Sequence, residues 1–317
     1  MSTESVHYDI IIIGGGPAGL AAAIHCKQLL PDKTVCLIEK GADIGSHILS
    51  GAVLEPRTLT SLLPDWQQRN APITTRVTAE QFGFLSEKKI HTVPQWILPK
   101  ELTNQGNYLI SLSVVCRWLA EQAQTLGVDI FTSTAATELL YKDNTVVGIK
   151  TGAMGLDRDR QKKTHFSEGF EIHCQYLVIA EGARGYLAEH IIQRYQLRQQ
   201  RVQTYGLGIK ELWQVDHNHY QPGLVQHTAG WPLDNHTYGG SFVYHLDQQK
   251  IAVGFVVALD YQDPTLSPFE CLQRFKSHPH IQPLFKNGQR IGFGARVLNE
   301  GGYASLPRCH FPGGILI

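Results

Sequence analysis

The sequence predicts an α/β portion combined with an α+β portion: a Rossmann-like dinucleotide-binding domain into which an antiparallel sheet is inserted. Three observations carry this expectation. Four consecutive isoleucines in Asp9–Ile13 form a short buried strand and open onto Gly14, Gly16 and Gly19 in G-x-G-x-x-G spacing, with a helical run behind them. A second apolar strand, Thr34 to Ile38, ends on Glu39. From Val202 to Leu259 the pattern changes to strands rich in Tyr, Val, Phe and Gly, as expected for a separate antiparallel sheet.

Each glycine of the first loop has its own physical reason. The first allows a tight turn, the second lets backbone approach a pyrophosphate, and the third lets helix and strand pack closely. The helix that follows, expected over Ala21 to Leu30, points its free N–H groups and positive dipole end at the same place. Glu39 lies 20 residues after Gly19, where an acid accepts hydrogen bonds from a ribose diol. The candidate cofactor contacts here are Gly14, Gly16, Pro17, Ala18, Gly19, Glu39 and Lys40.

The loop after Lys40 carries the small residues Ser50, Gly51 and Ala52, which suit either close approach of a flat ligand or an ordinary turn. Phe82 to Leu102 reads as an irregular segment. Trp96, Ile97 and Leu98 lie between two prolines and are flanked by Lys88, Lys89 and Lys100. Trp beside Lys suits a membrane interface as well as a buried loop. A helix capped by Ser113 follows, with Val115, Leu119, Ala123 and Leu126 as its apolar stripe and Gly127 as its stop. Val128 to Phe131 is a strand, and Ala136–Tyr141 with Val146–Lys150 is a hairpin. Gly152 to Ser167 reads as a polar loop. Gln175 to Ala180 is a buried strand that runs into Glu181-Gly182, either a ligand-facing acid–glycine pair or a plain glycine turn. Ser267-Pro268-Phe269-Glu270 is a capping box for a helix ending before Pro279. The last stretch, ending on Ile317, heads back toward a sheet strand.

Composition narrows the function. In 317 residues, Lys+Arg and Asp+Glu are both 28, so no basic surplus points to nucleic acid. The six cysteines are never closer than ten positions, which supports no metal or iron–sulfur framework and suits free thiols. No apolar run approaches the ~18–20 residues that span a bilayer, and the N-terminus carries no signal or transit pattern. The chain is therefore expected to start out cytosolic, with any membrane contact at one face only, on the cytoplasmic side.

Four long phrases resemble the electron transfer flavoprotein–ubiquinone oxidoreductase family. They are TYGLGIKELW, HTAGWPLDNHTYGGSFVYHL, LDYQDPTLSPFECLQRFKSHP and GARVLNEGGYASLPRCHFPGGILI. The resemblance implies a glutathione-reductase-type FAD domain with an inserted quinone domain. It implies FAD as cofactor, reduced electron transfer flavoprotein as electron donor, and ubiquinone at a membrane surface as acceptor. It places the pyrophosphate and ribose on Gly14 to Gly19 and Glu39, and the flavin near Ser50, Gly51, Ala52, Glu181 and Gly182. It places a quinone carbonyl on the backbone of Gly239 and Gly240, where the residues alone would suit a strand bulge. It also associates Phe82 to Leu102 with membrane contact. Beyond the PGGILI phrase the family continues into a closing FAD element and a four-cysteine [4Fe–4S] domain, neither of which is in this sequence.

The expected division is 1–80, 103–200 and 290–317 for the FAD domain, against 81–102 and 201–289 for the quinone domain. No acid–base residue is required, because the cofactor carries the redox chemistry. Tyr238 and His245 are candidate sources of the quinone protons. Two other readings fit the same residues. One is a non-catalytic fragment that needs a partner for its missing half. The other is a related FAD monooxygenase or isoprenoid reductase.

Overall fold

A computed structural model describes residues 6–49, 51–159, 161–198 and 202–317, with the side chain of residue 165 left aside. The chain forms two compact units. The first comprises residues 1–48, 116–201 and 306–317, and the second 49–115 and 202–305.

The first unit is built on an eight-stranded sheet. Val6–Ile13 lies between Val35–Ile38 and Glu171–Ile179, parallel to both, and Val128–Phe131 and Gly314–Leu316 extend the parallel set on either side. The isoleucine run predicts this central place, because a strand buried on both faces needs apolar residues at every position. Ile10 to Ile13 are all buried. The helix starts earlier than expected, at Pro17, and runs to Leu29 with Gly16 as its N-cap. Proline is well placed there: its φ suits the first turn, and its missing N–H would have had no helical partner. The helix turns Gly19, Leu20, Ala23 and Ile24 inward.

The hairpin appears as Ala136–Lys142 paired with Thr145–Thr151, and its second strand joins Glu171–Ile179. Gly152 to Ser167 is not simply a loop. Met154–Leu156 and Lys162–Ser167 pair as a two-stranded ribbon. Met154–Leu156 is too short and Lys162–Ser167 too polar to show an apolar alternation, so the sequence does not mark them as strands. The helix expected from Ser113 runs Leu112–Thr125, and the Ser111 carbonyl accepts the N–H groups of Val114 and Val115. Ser113 thus lies inside the first turn and is not the cap.

The second unit holds a seven-stranded sheet. Its order is Gln289–Asn299, Tyr205–Gln214, Lys250–Ala258, Gly239–His245, Leu224–Gly230, Ala79–Leu85 and Ile90–Val93. Every neighbouring pair is antiparallel except Leu224–Gly230 with Ala79–Leu85. Two of these strands correct the reading of Phe82 to Leu102 as irregular. One face packs on the helix Pro268–Lys276, where Cys271, Leu272 and Phe275 meet Val253, Phe255 and Val257. The Ser267 hydroxyl accepts the Glu270 N–H, as the capping box predicts. On this side Glu211 is almost fully buried. It accepts bonds from Lys276 at 2.8 Å, Arg290 at 3.1 Å and Trp213 at 2.8 Å. Burial pushes its carboxyl pKa up, but these partners outweigh burial and hold it below its ordinary value.

The units do not divide where the sequence suggested. Residues 49–80, 103–115 and 290–305 belong to the second unit. Gln289–Asn299 is the reason at one end, since it pairs along Tyr205–Gln214 and does not return to the parallel sheet. At the other, a small sheet of Ala52–Leu54, Tyr108–Ile110 and Thr75–Arg76 buries Leu109 with Val225, Leu246 and Ala252.

Phe275→Ala should lower the unfolding free energy by about 3–5 kcal/mol, the usual range for emptying a filled core site. Urea unfolding followed by far-UV circular dichroism measures it.

Candidate cofactor and substrate sites

The first candidate site lies at the carboxyl ends of the parallel strands in the first unit. Gly14 follows the first strand with φ +108°, and a Cβ there would come within 2.3 Å of the Ala180 carbonyl oxygen. A Cβ on Gly19 would come within 2.0 Å of the Gly14 carbonyl oxygen. Both positions exclude side chains for reasons internal to the fold. Gly16 differs, since a Cβ there meets nothing within 4 Å. It faces open space at the helix N-terminus, where a pyrophosphate would fit against backbone N–H groups. Pro17 and Ala18 are the first helical residues there.

Glu39 is held by two backbone amides, with the His47 Nδ1 4.0 Å from its Oε1. Its Oε2 accepts the Gly15 N–H at 2.8 Å, and its Oε1 accepts the Gly41 N–H at 2.6 Å. Each oxygen keeps lone-pair capacity for a further donor, which suits a sugar diol. Gly15 was not singled out from the sequence, yet a Cβ there would press on Ile44 Cδ1 at 2.5 Å and Glu39 Oε2 at 3.1 Å. The run of three glycines was the available signal.

Glu181-Gly182 reaches the same place, because a Cβ on Gly14 would also touch the Glu181 backbone nitrogen at 3.5 Å. The Glu181 side chain, however, turns to the next helix, Tyr186–Arg194, and accepts the Ala188 N–H at 2.8 Å. Burial raises its pKa, and the amides of residues 186–188 and the charge of Lys40 draw it partly back. Gly182, with φ +80°, has open space around it. The structure therefore gathers Gly14, Gly16, Pro17, Ala18, Gly19, Glu39, Lys40, Glu181 and Gly182 in one unit. It places Gly51 and Ala52 in the other. Ser50 lies outside the described residues.

The second candidate site is in the second unit. A Cβ on Gly239 would come within 2.3 Å of the Val256 carbonyl oxygen, and one on Gly240 within 2.6 Å of the Thr228 carbonyl oxygen. Both glycines pair with Val257 and Val256 on one side. On the other side the register ends at Thr228↔Ser241. The glycine pair thus has regular ladder partners on one flank only. Tyr238 beside it is 73% exposed. His245 is at the far end of the same strand, six residues from Gly239, or about 20 Å at ~3.4 Å per residue. It is buried, its Nδ1 accepts the Gln221 N–H at 3.0 Å, and burial lowers its pKa to about 4. His245 is a neutral core residue remote from the glycines, which overturns the expectation that it supplies protons there.

The sheet face that carries Gly240 also carries Phe242, Tyr244, His227 and Lys210, by register. The His227 Nε2 and the Tyr244 hydroxyl are 2.8 Å apart. Burial lowers the His227 pKa and raises that of Tyr244. None of these was singled out from the sequence. The signal was alternation: in GLGIKELW, Lys210 falls on the same face as Gly208. Among the described residues no group of His, Cys, Asp and Glu is arranged to hold a metal, so they offer no ligand set for an iron–sulfur cluster.

Comparison with known proteins sharpens this geometry. The family model described as pyridine nucleotide-disulphide oxidoreductase matches residues 8–205. One described as ETF-QO, ubiquinone-binding, matches residues 205–298. Over 98% of its length the chain is 50% identical to the mitochondrial electron transfer flavoprotein-ubiquinone oxidoreductase of Mus musculus, covering 51% of that protein. It is 45% identical over its whole length to the corresponding Pseudomonas aeruginosa protein, covering 59% of it. The chain thus spans about half the length of the curated relatives it matches, and the resemblance expected from the four phrases is borne out. Among solved structures, a geranylgeranyl bacteriochlorophyll reductase-like protein from Thermoplasma acidophilum aligns at TM-score 0.72. That alignment has 18% identity and covers 99% of this chain and 71% of that one, a likeness of fold.

His245 makes stability depend on pH in a defined direction. Its folded pKa is about 4, below the ~6.5 of an unfolded histidine, so the unfolded chain binds the extra proton between these values. Its neutral burial is fully tolerated above about pH 6.5, and stability falls as the pH drops toward 4. His245→Gln, whose amide oxygen can accept the Gln221 N–H, should flatten that part of the profile. Denaturant unfolding at a series of pH values measures the difference.

Proposed function

Because the chain belongs to the pyridine nucleotide-disulphide oxidoreductase family, we propose that it is a flavoprotein oxidoreductase that carries electrons from reduced electron transfer flavoprotein to ubiquinone at a membrane surface. One observation carries the reading: a complete glycine-and-acid cradle is followed in the same chain by a ubiquinone-binding-type sheet with a half-partnered glycine pair. FAD, when bound, supplies a ring able to take up and release electrons.

The chain's own residues do the rest. Gly16 leaves room at the helix N-terminus for a pyrophosphate, Glu39 is oriented by two backbone amides toward a ribose, and Gly182 leaves backbone open beside them. Gly239 and Gly240 present backbone groups to a quinone carbonyl on the flank where the ladder ends. Gly51 and Ala52 lie over the glycine-pair sheet, with a Cβ on Gly51 within 2.3 Å of Ala252 Cβ, and this small-residue turn admits a flat ring.

The membrane contact is proposed at Phe82 to Leu102. Trp96 is 86% exposed, and Phe84, Ile97 and Leu102 are exposed with it, beside exposed Lys88, Lys89 and Lys100. Exposed aromatic and aliphatic side chains flanked by lysines suit shallow insertion beside anionic headgroups. Among the described residues no helix is long and apolar enough to cross a membrane.

Three measurements test the proposal. The FAD-loaded chain should oxidise reduced electron transfer flavoprotein and reduce a short-chain ubiquinone. A loaded chain that takes up electrons and leaves the quinone oxidised overturns the quinone assignment, and one that oxidises nicotinamide cofactor points to a monooxygenase. Gly16→Ala should leave unfolding within about 0.5 kcal/mol of the parent, since its Cβ meets no protein atom. The same change should weaken FAD binding by about tenfold or more, read by flavin fluorescence, while Gly14→Ala should damage the fold itself. The double change Trp96→Ala, Ile97→Ser should lower binding to anionic phospholipid vesicles by about tenfold, or ~1.4 kcal/mol, measured by co-sedimentation.

A further inference from the structure

Lys210 is placed unlike any other lysine described. Its strand neighbours in register are Gly254 on one side and Gly294 on the other, so no side chain flanks it across the sheet. Next in the same row, beyond Gly254, stands Phe242 of the YGGSF phrase. The Phe242 ring lies over Gly254, and the Lys210 ammonium sits 5.5 Å from the centre of that ring. Nζ donates to the Gly51 carbonyl at 2.6 Å, and among the described residues no carboxylate pairs with it. An ammonium has three N–H donors, and among the described residues only one has an acceptor. Burial pushes the pKa down to about 8, as expected for a cation that lacks a counter-charge. Such a group costs stability unless something negative joins it.

The surroundings show what could join it. Gly208, Gly240, Gly254, Gly292 and Gly294 give this face small positions around the ammonium, with the Phe242 ring over Gly254 and Leu49 against Gly292 and Gly294, an apolar setting that suits a flat ring. The turn through Gly51 and the strand bearing Gly240 both adjoin the ammonium. We propose that Lys210 binds the negative charge of a planar ring on this face, an anionic quinone oxygen being its ligand class. The inference rests on the quinone reading above and adds the group that favours the reduced or ionised form over the neutral one. Electrostatic preference of this kind requires a desolvated, fixed charge, and Lys210 meets both conditions.

The test uses two probes on the full chain equilibrated with FAD: 2-hydroxy-1,4-naphthoquinone, an anion at pH 7, and neutral 1,4-naphthoquinone. Calorimetric titration should show both bound. Lys210→Met should lose about tenfold affinity for the anion, or ~1.4 kcal/mol, and keep that for the neutral probe within about twofold. In the parent chain, affinity for the anion should fall about tenfold from about pH 7 to about pH 9 as the ammonium loses its proton, with the neutral probe unaffected. This second arm needs no variant to fold. The other titratable or charged groups on the face are His227, Tyr244, Glu80, His91, Arg296 and Glu300, whose carboxylate lies against Gly206, with Arg76 and Tyr108 on the small sheet packed against it. His227→Gln should leave the pH response in place. Equal loss of both probes, or no selective loss of the anion, overturns the role of Lys210 and leaves the quinone reading intact. Binding of neither probe by the parent overturns both.

Discussion

The first unit depends on a close backbone approach between Gly19 and the Gly14 carbonyl, where a methyl group would come within 2.0 Å. It brings the helix Pro17–Leu29 hard against the strand Val6–Ile13, so that Leu20, Ala23 and Ile24 reach the sheet. It holds the first turn of that helix with its amides directed past the strand ends. The same closeness puts Gly14 against Ala180, which ties the end of the first strand to the end of Glu171–Ile179. A dinucleotide cradle follows from this packing: strand ends, helix N-terminus and the acid at 39 converge because no side chain keeps them apart.

The second unit obeys a different constraint, imposed by the two faces of one sheet. The face toward Pro268–Lys276 is filled with Val253, Phe255, Val257, Leu272 and Phe275, and its one buried carboxylate, Glu211, is matched by two cations. The opposite face has glycines at many positions, and its half-buried cation, Lys210, pairs with no carboxylate among the described residues. Charge on the first face is satisfied and serves to join helix to sheet. Charge on the second has no carboxylate complement among the described residues, which is why a ligand is proposed for it.

Much of the cradle was legible in the sequence. The spacing of Gly14, Gly16 and Gly19 and the place of Glu39 follow from local geometry, and local geometry is written in neighbouring residues. The strands at 205–214, 224–230, 239–245 and 250–258 were legible for the same reason. Gln289–Asn299 was not read as part of that sheet, because its alternation is broken by Gly292 and Gly294 and its partner lies some 80 residues earlier. Glu181 was expected to face a ligand. It caps a helix whose N-terminus comes near only once the chain has turned at Gly182 and Gly185.

Taken alone, the sequence determined the kinds of elements, the glycine cradle with its acid, the second sheet and the family resemblance. Each depends on spacing over a few residues or on long matched phrases. The tertiary structure alone decided that residues 49–80, 103–115 and 290–305 join the second unit, that His245 is a remote core residue, and that Lys210 lies among glycines with no carboxylate partner among the described residues. Those outcomes depend on which strand pairs with which, and on how far burial separates a charge from water. Pairing and burial are properties of distant residues brought together, and no local pattern specifies them.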